Sequence, residues 1–235
     1  MLSATYKHHE EAAAIALNDD AARAEEKARH DGYQYSRVSR FFGRILIGLG
    51  NIVYGEGPSY IKFRALEIIA RVPYHSWESA AYTLLTLFYS QEKKAIRLSR
   101  FSAFARHAQD NETMHVIVIS HIAKKECAHS FMRTTLIPVF FAFMYFWAAY
   151  VLYLVHRRWA LELNALFEDH AFEQYDRFIT EWQAALKEKP VESDFLTFYG
   201  RVAPTQLDFF RLVRNDELMH RNRSLDQIAL SGIRL

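Results

Sequence analysis

The chain has one cysteine, Cys127, in 235 residues. No internal disulfide can form, and neither a cysteine-based zinc site nor an iron–sulfur cluster can be built from it. Any bound metal must be held by carboxylate and imidazole. Proline and glycine are scarce, 5 and 8 residues, and fall mostly between apolar periodic stretches, which favours an all-α chain. An excess of one charge is lacking too. With 29 basic and 27 acidic side chains the net charge is +2, so bulk electrostatics gives no case for a nucleic-acid partner. Internal repeats and low-complexity tracts are missing. Core material is plentiful, at 51% hydrophobic and 15% aromatic, enough for one good-sized domain and incompatible with a disordered or collagen-like chain.

Residues 1–35 include Glu10, Glu11, Asp19, Asp20, Glu25, Glu26 and Asp31. They are too acidic for an Arg- and Ser-rich transit peptide and lack the apolar stretch of a secretory signal. An exposed arm, helical from Glu10 to Arg29, is expected there. One helical-bundle domain over residues 36–228 and a short tail over 229–235 complete the expected division.

The first strong helix is expected from Val38 to Val53, apolar at Phe41, Phe42, Ile45, Leu46 and Leu49, and ended by Gly55, Gly57 and Pro58. The next begins after Ser59 and should kink at Pro73, which removes one helical hydrogen bond. His115-Val-Ile-Val-Ile119 reads as strand by propensity. The Glu112–His115 pair at i, i+3 shares a face only on a helix, so helix is the reading. Thr205-x-x-Asp208 is a variant capping box that opens the last helix.

Between Arg133 and His156, 22 residues carry no charge, long enough to cross a bilayer. A single crossing would put Glu112 and Glu168 on opposite sides of a barrier about 30 Å thick. A helix lying in one leaflet, turned in at Pro138 and paired with Val38–Val53, keeps them together. Arg40, Arg44, Arg133, Arg157 and Arg158 would then lie at the headgroups.

Glu67, Glu112-x-x-His115, Glu168 and Glu217-x-x-His220 follow the ligand order of a carboxylate-bridged two-metal site in a four-helix bundle. Separations of 45, 56 and 49 residues leave room for a helix of about twenty residues around each. Such a carboxylate-rich set suits iron or manganese better than zinc. A third pair, Glu126 with His129, lies 14 residues past Glu112, about 21 Å along a continuous helix. It is read as a solvated or headgroup-facing patch beside Lys124 and Lys125. Glu78 competes with Glu67 as the first ligand, and spacing leaves the two open. The plain alternative for every pair is an amphipathic helix with an exposed Glu and a satisfied core His.

Leu66-Glu67-Ile68-Ile69-Ala70-Arg71-Val72-Pro73 is similar to L-E-T-x-A-x-V-P, and Asn111-Glu112-Thr113-Met114-His115 to N-E-R-M-H. Leu166-Phe167-Glu168-Asp169-His170-Ala171, with Tyr175 downstream, resembles L-E-E-E-A and its tyrosine. Arg214-Asn215-Asp216-Glu217-Leu218-Met219-His220-Arg221 resembles R-A-D-E-A-x-H-R. These are the motifs, in order over about residues 36–225, of the alternative oxidases, the di-iron quinol oxidases of mitochondria, plastids and some bacteria.

The resemblance implies an all-α, ferritin-like four-helix bundle with two membrane-interfacial helices. It implies two irons per chain, with Glu67 rather than Glu78 joining Glu112, Glu168 and Glu217 as bridging or terminal carboxylates, and His115 and His220 as the paired histidines. Asp216 would orient a histidine, Asn111 would join that network, and Tyr175 would supply an electron and a proton. Quinol and dioxygen would be the substrates, with water formed and no protons pumped. One leaflet of a bilayer, a homodimer and a larger respiratory assembly are the expected partners, with the mitochondrial inner membrane ahead of a plastid or bacterial one. Thr113 in place of arginine, Phe167 and His170 within the acidic run, and Phe198-Tyr199 in place of Tyr-Trp depart from the pattern around the quinol pocket and Tyr175. Two alternatives stay open, a membrane di-iron hydroxylase or cyclase, and a structural subunit of an assembly.

Overall fold

The structure, a computed structural model, describes residues 11–127 and 130–231. A helical stretch over residues 11–16 is followed by α1 (Asp20–Ala28), α2 (Arg37–Tyr54), α3 (Tyr60–Phe88) and α4 (Glu92–Glu126). A π-helical turn (Met132–Leu136) then leads into α5 (Ile137–Lys187), α6 (Asp194–Tyr199) and α7 (Gln206–Ser231). No strand forms among the described residues beyond an isolated bridge between Pro190 and Thr205.

Local signals place the helix ends. Ser36 caps α2 by accepting from the Ser39 N–H at 3.1 Å, and Ser59 caps α3 through Lys62 at 3.3 Å. Gly55 ends α2 at φ +88°, a conformation that strains any residue with a Cβ. Thr205 and Asp208 exchange bonds, each backbone N–H reaching the other's side-chain oxygen at 3.2 Å, so the expected capping box opens α7. The β-branched run His115–Ile119 is helical inside α4, where packing overrides propensity. Pro73 lies within α3 and the helix continues through it.

Helices α3, α4, α7 and the second half of α5 make the four-helix bundle, with α3 against α4, α5 against α7, and α3 against α5. Two apolar clusters fill it. One gathers Phe63, Met114, Tyr175, Phe178 and Phe210, the other Tyr74, Trp77, Phe101, Phe104 and Leu161.

The apolar stretch and the Glu168 helix, expected as two separate helices, are the two halves of α5, which meet at a kink at His156, whose backbone leaves helical angles (φ −148°, ψ 75°). The His156 Nδ1 accepts from the Trp159 N–H at 3.3 Å, capping the second half as it starts. Ile137 and His170, 33 residues apart, line the same cleft, whereas a straight helix would hold them about 50 Å apart. The first half of α5 therefore folds back across the bundle. It exposes Val139, Phe140, Phe143, Trp147, Val151 and Val155, and α2 exposes Phe41, Phe42, Ile45, Leu49 and Ile52. Among the described residues, Met132–Lys187 is the one helical stretch long and apolar enough to cross a membrane. Gly43 lets α2 sit close on α5, since a Cβ there would meet Leu166 Cδ1 at 3.3 Å.

Arg40, Arg44 and Arg133 are exposed near this apolar surface. Arg157 departs from the headgroup expectation, because its guanidinium lies 4.3 Å over the Phe101 ring. The described part of the N-terminal arm is docked rather than free. Ala14 and Leu17 are buried with Phe172, Leu218 and Met219. Polar groups on α7 seek its backbone, Asn215 Nδ2 donating to Ala14 O at 2.9 Å and Asn222 Nδ2 to Glu26 O at 2.7 Å. The helix expected over Glu10–Arg29 is interrupted near residue 18, where Asp19 caps α1. Residues 1–10, 128–129 and 232–235 lie outside the described residues, and with them His129 and most of the tail.

Candidate metal centre

Glu67 from α3, Glu112 and His115 from α4, Glu168 from α5, and Glu217 and His220 from α7 meet in the centre of the bundle, each no more than 2% exposed. Their ligand atoms form two overlapping groups, Glu67, Glu112, His115 and Glu217, and Glu112, Glu168, Glu217 and His220. Within each group the atoms lie within 4.8 Å of one another. Glu112 and Glu217 belong to both, the placement that bridging carboxylates need. Each group adds one terminal carboxylate and one imidazole.

Glu78 is elsewhere, bonded to Arg106 at 2.7 Å on the surface. Glu126 is not a solvated patch either. It accepts from Lys189 Nζ at 2.6 Å and Gln206 Nε2 at 3.3 Å, tying the end of α4 to the approach to α7.

The surroundings orient these groups. His115 Nε2 lies 2.9 Å from Asp216 Oδ2, while its Nδ1 faces Glu67 at 3.2 Å, Glu217 at 3.4 Å and Glu112 at 3.6 Å. Asp216, held ionised by Arg201 and His115 against the effect of its burial, fixes a proton on Nε2, so that a cation displacing the Nδ1 proton would meet that lone pair in the centre. Asn111 Nδ2 donates to Asp216 at 3.2 Å. Arg201 grips Asp216 as a fork, with Nη2 on Oδ1 at 2.9 Å and Nη1 on Oδ2. Tyr175 donates its phenolic hydrogen to Glu67 Oε1, and its ring stacks on Phe63 at 4.1 Å.

Sequence reasoning missed three of these partners. Arg201 sits in the loop before α7 and carries no spacing signal. Tyr74 donates to Glu168 Oε1 at 2.7 Å, and Asn164 Nδ2 reaches the same oxygen at 3.0 Å. A signal existed for Tyr74, which follows Glu67 by seven residues as Tyr175 follows Glu168. Each tyrosine then bonds the carboxylate of the other helix.

Burial and mutual repulsion set the charges. Burial, then the Glu112 charge, pushes Glu67 up to about 8. Burial and the neighbouring carboxylates Glu112, Glu67 and Glu168 push Glu217 well above the usual range, and burial followed by the Glu112 charge raises Glu168. Burial also works upward on Glu112, but the His115 and His220 imidazoles outweigh it and hold that carboxyl well below the usual range. On His115 burial acts downward, and the Glu67 charge and Asp216 overcome it, so the imidazole sits well above its ordinary value. Burial and the Glu67 charge raise Tyr175.

Both oxygens of Glu217 and Glu168 Oε2 are buried without a hydrogen-bond partner, and Glu112 meets only imidazoles, His220 Nδ1 at 2.7 Å and His115 Nδ1 at 3.6 Å. Orphaned acceptors aimed at one another are costly unless a cation fills the space between them. Two divalent cations would balance four carboxylates, and the donor set of four carboxylates and two imidazoles fits iron or manganese. The residues present therefore fit a two-iron centre.

An apolar cleft enclosing about 690 Å³, open solvent at its mouth included, abuts this centre. Its walls include Leu46 and Leu49 from α2, Leu66 and Ile69 from α3, and Phe141 and Phe167 from α5. Leu66 and Phe167 directly precede Glu67 and Glu168.

The family model described as alternative oxidase matches residues 18–226. The chain is similar to "Ubiquinol oxidase 4, chloroplastic/chromoplastic" of Arabidopsis thaliana, 23% identical over 141 residues. That match covers 60% of this chain and 37% of the relative, little more than a third of its length. No solved structure matches the chain.

Proposed function

The chain belongs to the alternative oxidase family, and from that premise we propose that it is a membrane-bound quinol oxidase, in which two quinols and one dioxygen give two quinones and two waters. The observation that carries the reading is the pair of overlapping ligand groups that share Glu112 and Glu217. Glu67, His115, Glu168 and His220 would complete the holding of two irons, which supply the electron-transfer chemistry with dioxygen when bound.

The chain's own residues do the rest. Asp216, steadied by Arg201 and Asn111, keeps the His115 Nδ1 lone pair turned inward. Tyr175 holds a proton at its phenolic oxygen against Glu67, in contact with the centre and sealed from water by Phe63 and Phe210. The apolar clusters above and below limit water access. The exposed faces of α2 and the first half of α5 would lie in one leaflet, with the cleft between them admitting a lipid-soluble quinol. Because α5 folds back at His156, its two ends return to the same side, which supports a one-leaflet helix over a crossing.

The relative's name is chloroplastic/chromoplastic, so the comparisons lend the expected mitochondrial inner membrane no support. A homodimer remains part of the proposal on the resemblance.

The test is oxygen uptake by the membrane-reconstituted protein, loaded with two irons, on adding a quinol in the presence of cyanide. Quinol-dependent uptake yielding quinone supports the oxidase. Two bound irons with no uptake on quinol would turn the reading toward a hydroxylase, a cyclase or a structural subunit.

A further inference from the structure

Glu168 differs from Glu67, the other terminal carboxylate, in how its two oxygens are used. On Glu67 both oxygens have a neighbour, Tyr175 bonding Oε1 and the His115 Nδ1 facing Oε2 at 3.2 Å. On Glu168 a single oxygen, Oε1, takes two donors, the Tyr74 hydroxyl at 2.7 Å and Asn164 Nδ2 at 3.0 Å. The second oxygen, Oε2, is buried and takes none. One oxygen of the carboxylate is thus occupied, and the other is left for a cation.

The two donors are held from three helices. Asn164 lies one turn before Glu168 on α5, and its amide hydrogens are shared among Glu168, the Tyr74 oxygen at 2.9 Å and Ser224 Oγ on α7 at 3.2 Å. Tyr74 comes from α3 and is fully buried. Its ring meets Trp77 edge-on at 5.4 Å and Phe104 at 6.0 Å, and the His220 ring lies 5.5 Å away. With the phenol packed on these sides, Glu168 can turn only by giving up both of its bonds.

We propose that Tyr74 and Asn164 are positioning residues that restrict Glu168 to ligation through Oε2 alone, and so keep a place for dioxygen on the Glu168 and His220 side of the centre. The inference rests on the two-iron reading above. A carboxylate free to rotate can grip a cation with both oxygens, and the second oxygen then fills the position that a diatomic substrate needs. Catalytic metal sites keep one position open. On the opposite side the outer partners Asp216 and Arg201 orient an imidazole. On this side the outer partners orient a carboxylate, and they do so with neutral groups that add no further buried charge.

The experiment uses the full chain in liposomes, loaded with two irons and reduced without air, and nitric oxide as a probe of dioxygen's size. Metal analysis and the infrared carboxylate stretches are read beside nitric oxide binding. Tyr74→Phe and Asn164→Leu should each keep two irons and narrow the gap between the antisymmetric and symmetric carboxylate stretches, the mark of a carboxylate passing from one-oxygen to two-oxygen ligation. Nitric oxide affinity should fall about tenfold, the low end for removing an outer partner of a ligand. Should Asn164→Leu fail to fold, Tyr74→Phe, which removes a single oxygen, decides alone. A wild-type infrared gap or a wild-type nitric oxide affinity in the folded, iron-loaded variants overturns this inference and leaves the oxidase reading standing. Loss of an iron from Tyr74→Phe overturns it as well, because the pair would then serve to hold the metal. A wild-type chain that binds no iron overturns the two-iron reading, and this inference with it.

Discussion

The phenol of Tyr175 is bonded to Glu67, a carboxylate on a different helix and 108 residues away. The tyrosine thus touches the centre through the acid opposite its own helix, not through Glu168, two turns before it. Tyr74 makes the reciprocal bond, from α3 to Glu168. The pairing braces α3 against α5 on both sides of the candidate metals and puts a proton donor at each terminal carboxylate.

Tyr175→Phe removes one oxygen from a fully buried ring and should leave folding and iron content intact. Quinol oxidation should fall about a hundredfold, the usual scale for losing a positioned proton donor. Oxygen-uptake rates beside circular dichroism and metal analysis check it, and wild-type turnover would make Tyr175 a plain core residue.

Glu112→Ala should abolish binding of both irons, because Glu112 serves both ligand groups. Glu168→Ala strips only one group and should lower iron content toward one per chain before the second is lost. Helical content should persist in each. Metal analysis of the purified variants reads the stoichiometry, and two irons retained in Glu112→Ala would remove the assignment.

Without metal, the folded state holds protons that the unfolded chain releases. Burial and the Glu112 charge lift Glu67 to about 8 from an ordinary 4.5, and His115 and His220 are raised too, despite burial, by their carboxylate neighbours. A raised folded-state value gives stability at low pH that is lost as pH rises through it. The melting temperature of the metal-free protein should therefore fall from about pH 5 to pH 8. Iron must displace those protons, so iron affinity should rise over the same window. A metal-free melting temperature that climbs with pH would contradict the cluster.

Phe42, Ile45 and Phe143 are all more than 40% exposed. Replacing the three with Glu should release the protein from membranes while iron binding is kept, as vesicle flotation with metal analysis can show. Single cysteines at Ser130 and Glu173, in a Cys127→Ser background, should react with an impermeant thiol reagent from the same side of sealed vesicles. Reaction from opposite sides would establish a crossing.

The bundle was legible because its signals are local. Ser59 and the Thr205–Asp208 box mark helix starts, Gly55 marks a stop, and the two Glu-x-x-His pairs mark inward faces. Two helices were expected on either side of it, but the place of the break at His156 was not legible, since no proline or glycine stands there and the ring itself supplies the cap. The role of Arg201 was hidden because loop geometry brings it to Asp216. The arm's docking rests on Asn215 and Asn222, which as residue types look like surface groups. Tyr74 could have been found, by applying to Glu67 the seven-residue step applied to Glu168.

The fold-back of α5 at His156 bears on how such a protein reaches its membrane. With both ends of the apolar half returning to the bundle, no charged segment has to be threaded through hydrocarbon. The helices that carry Glu67, Glu112, Glu168 and Glu217 can close in water and the chain can then sink a finished face into the lipid. On the proposed one-leaflet reading, biogenesis would be a docking event, open to a fully synthesised protein and independent of a translocation channel.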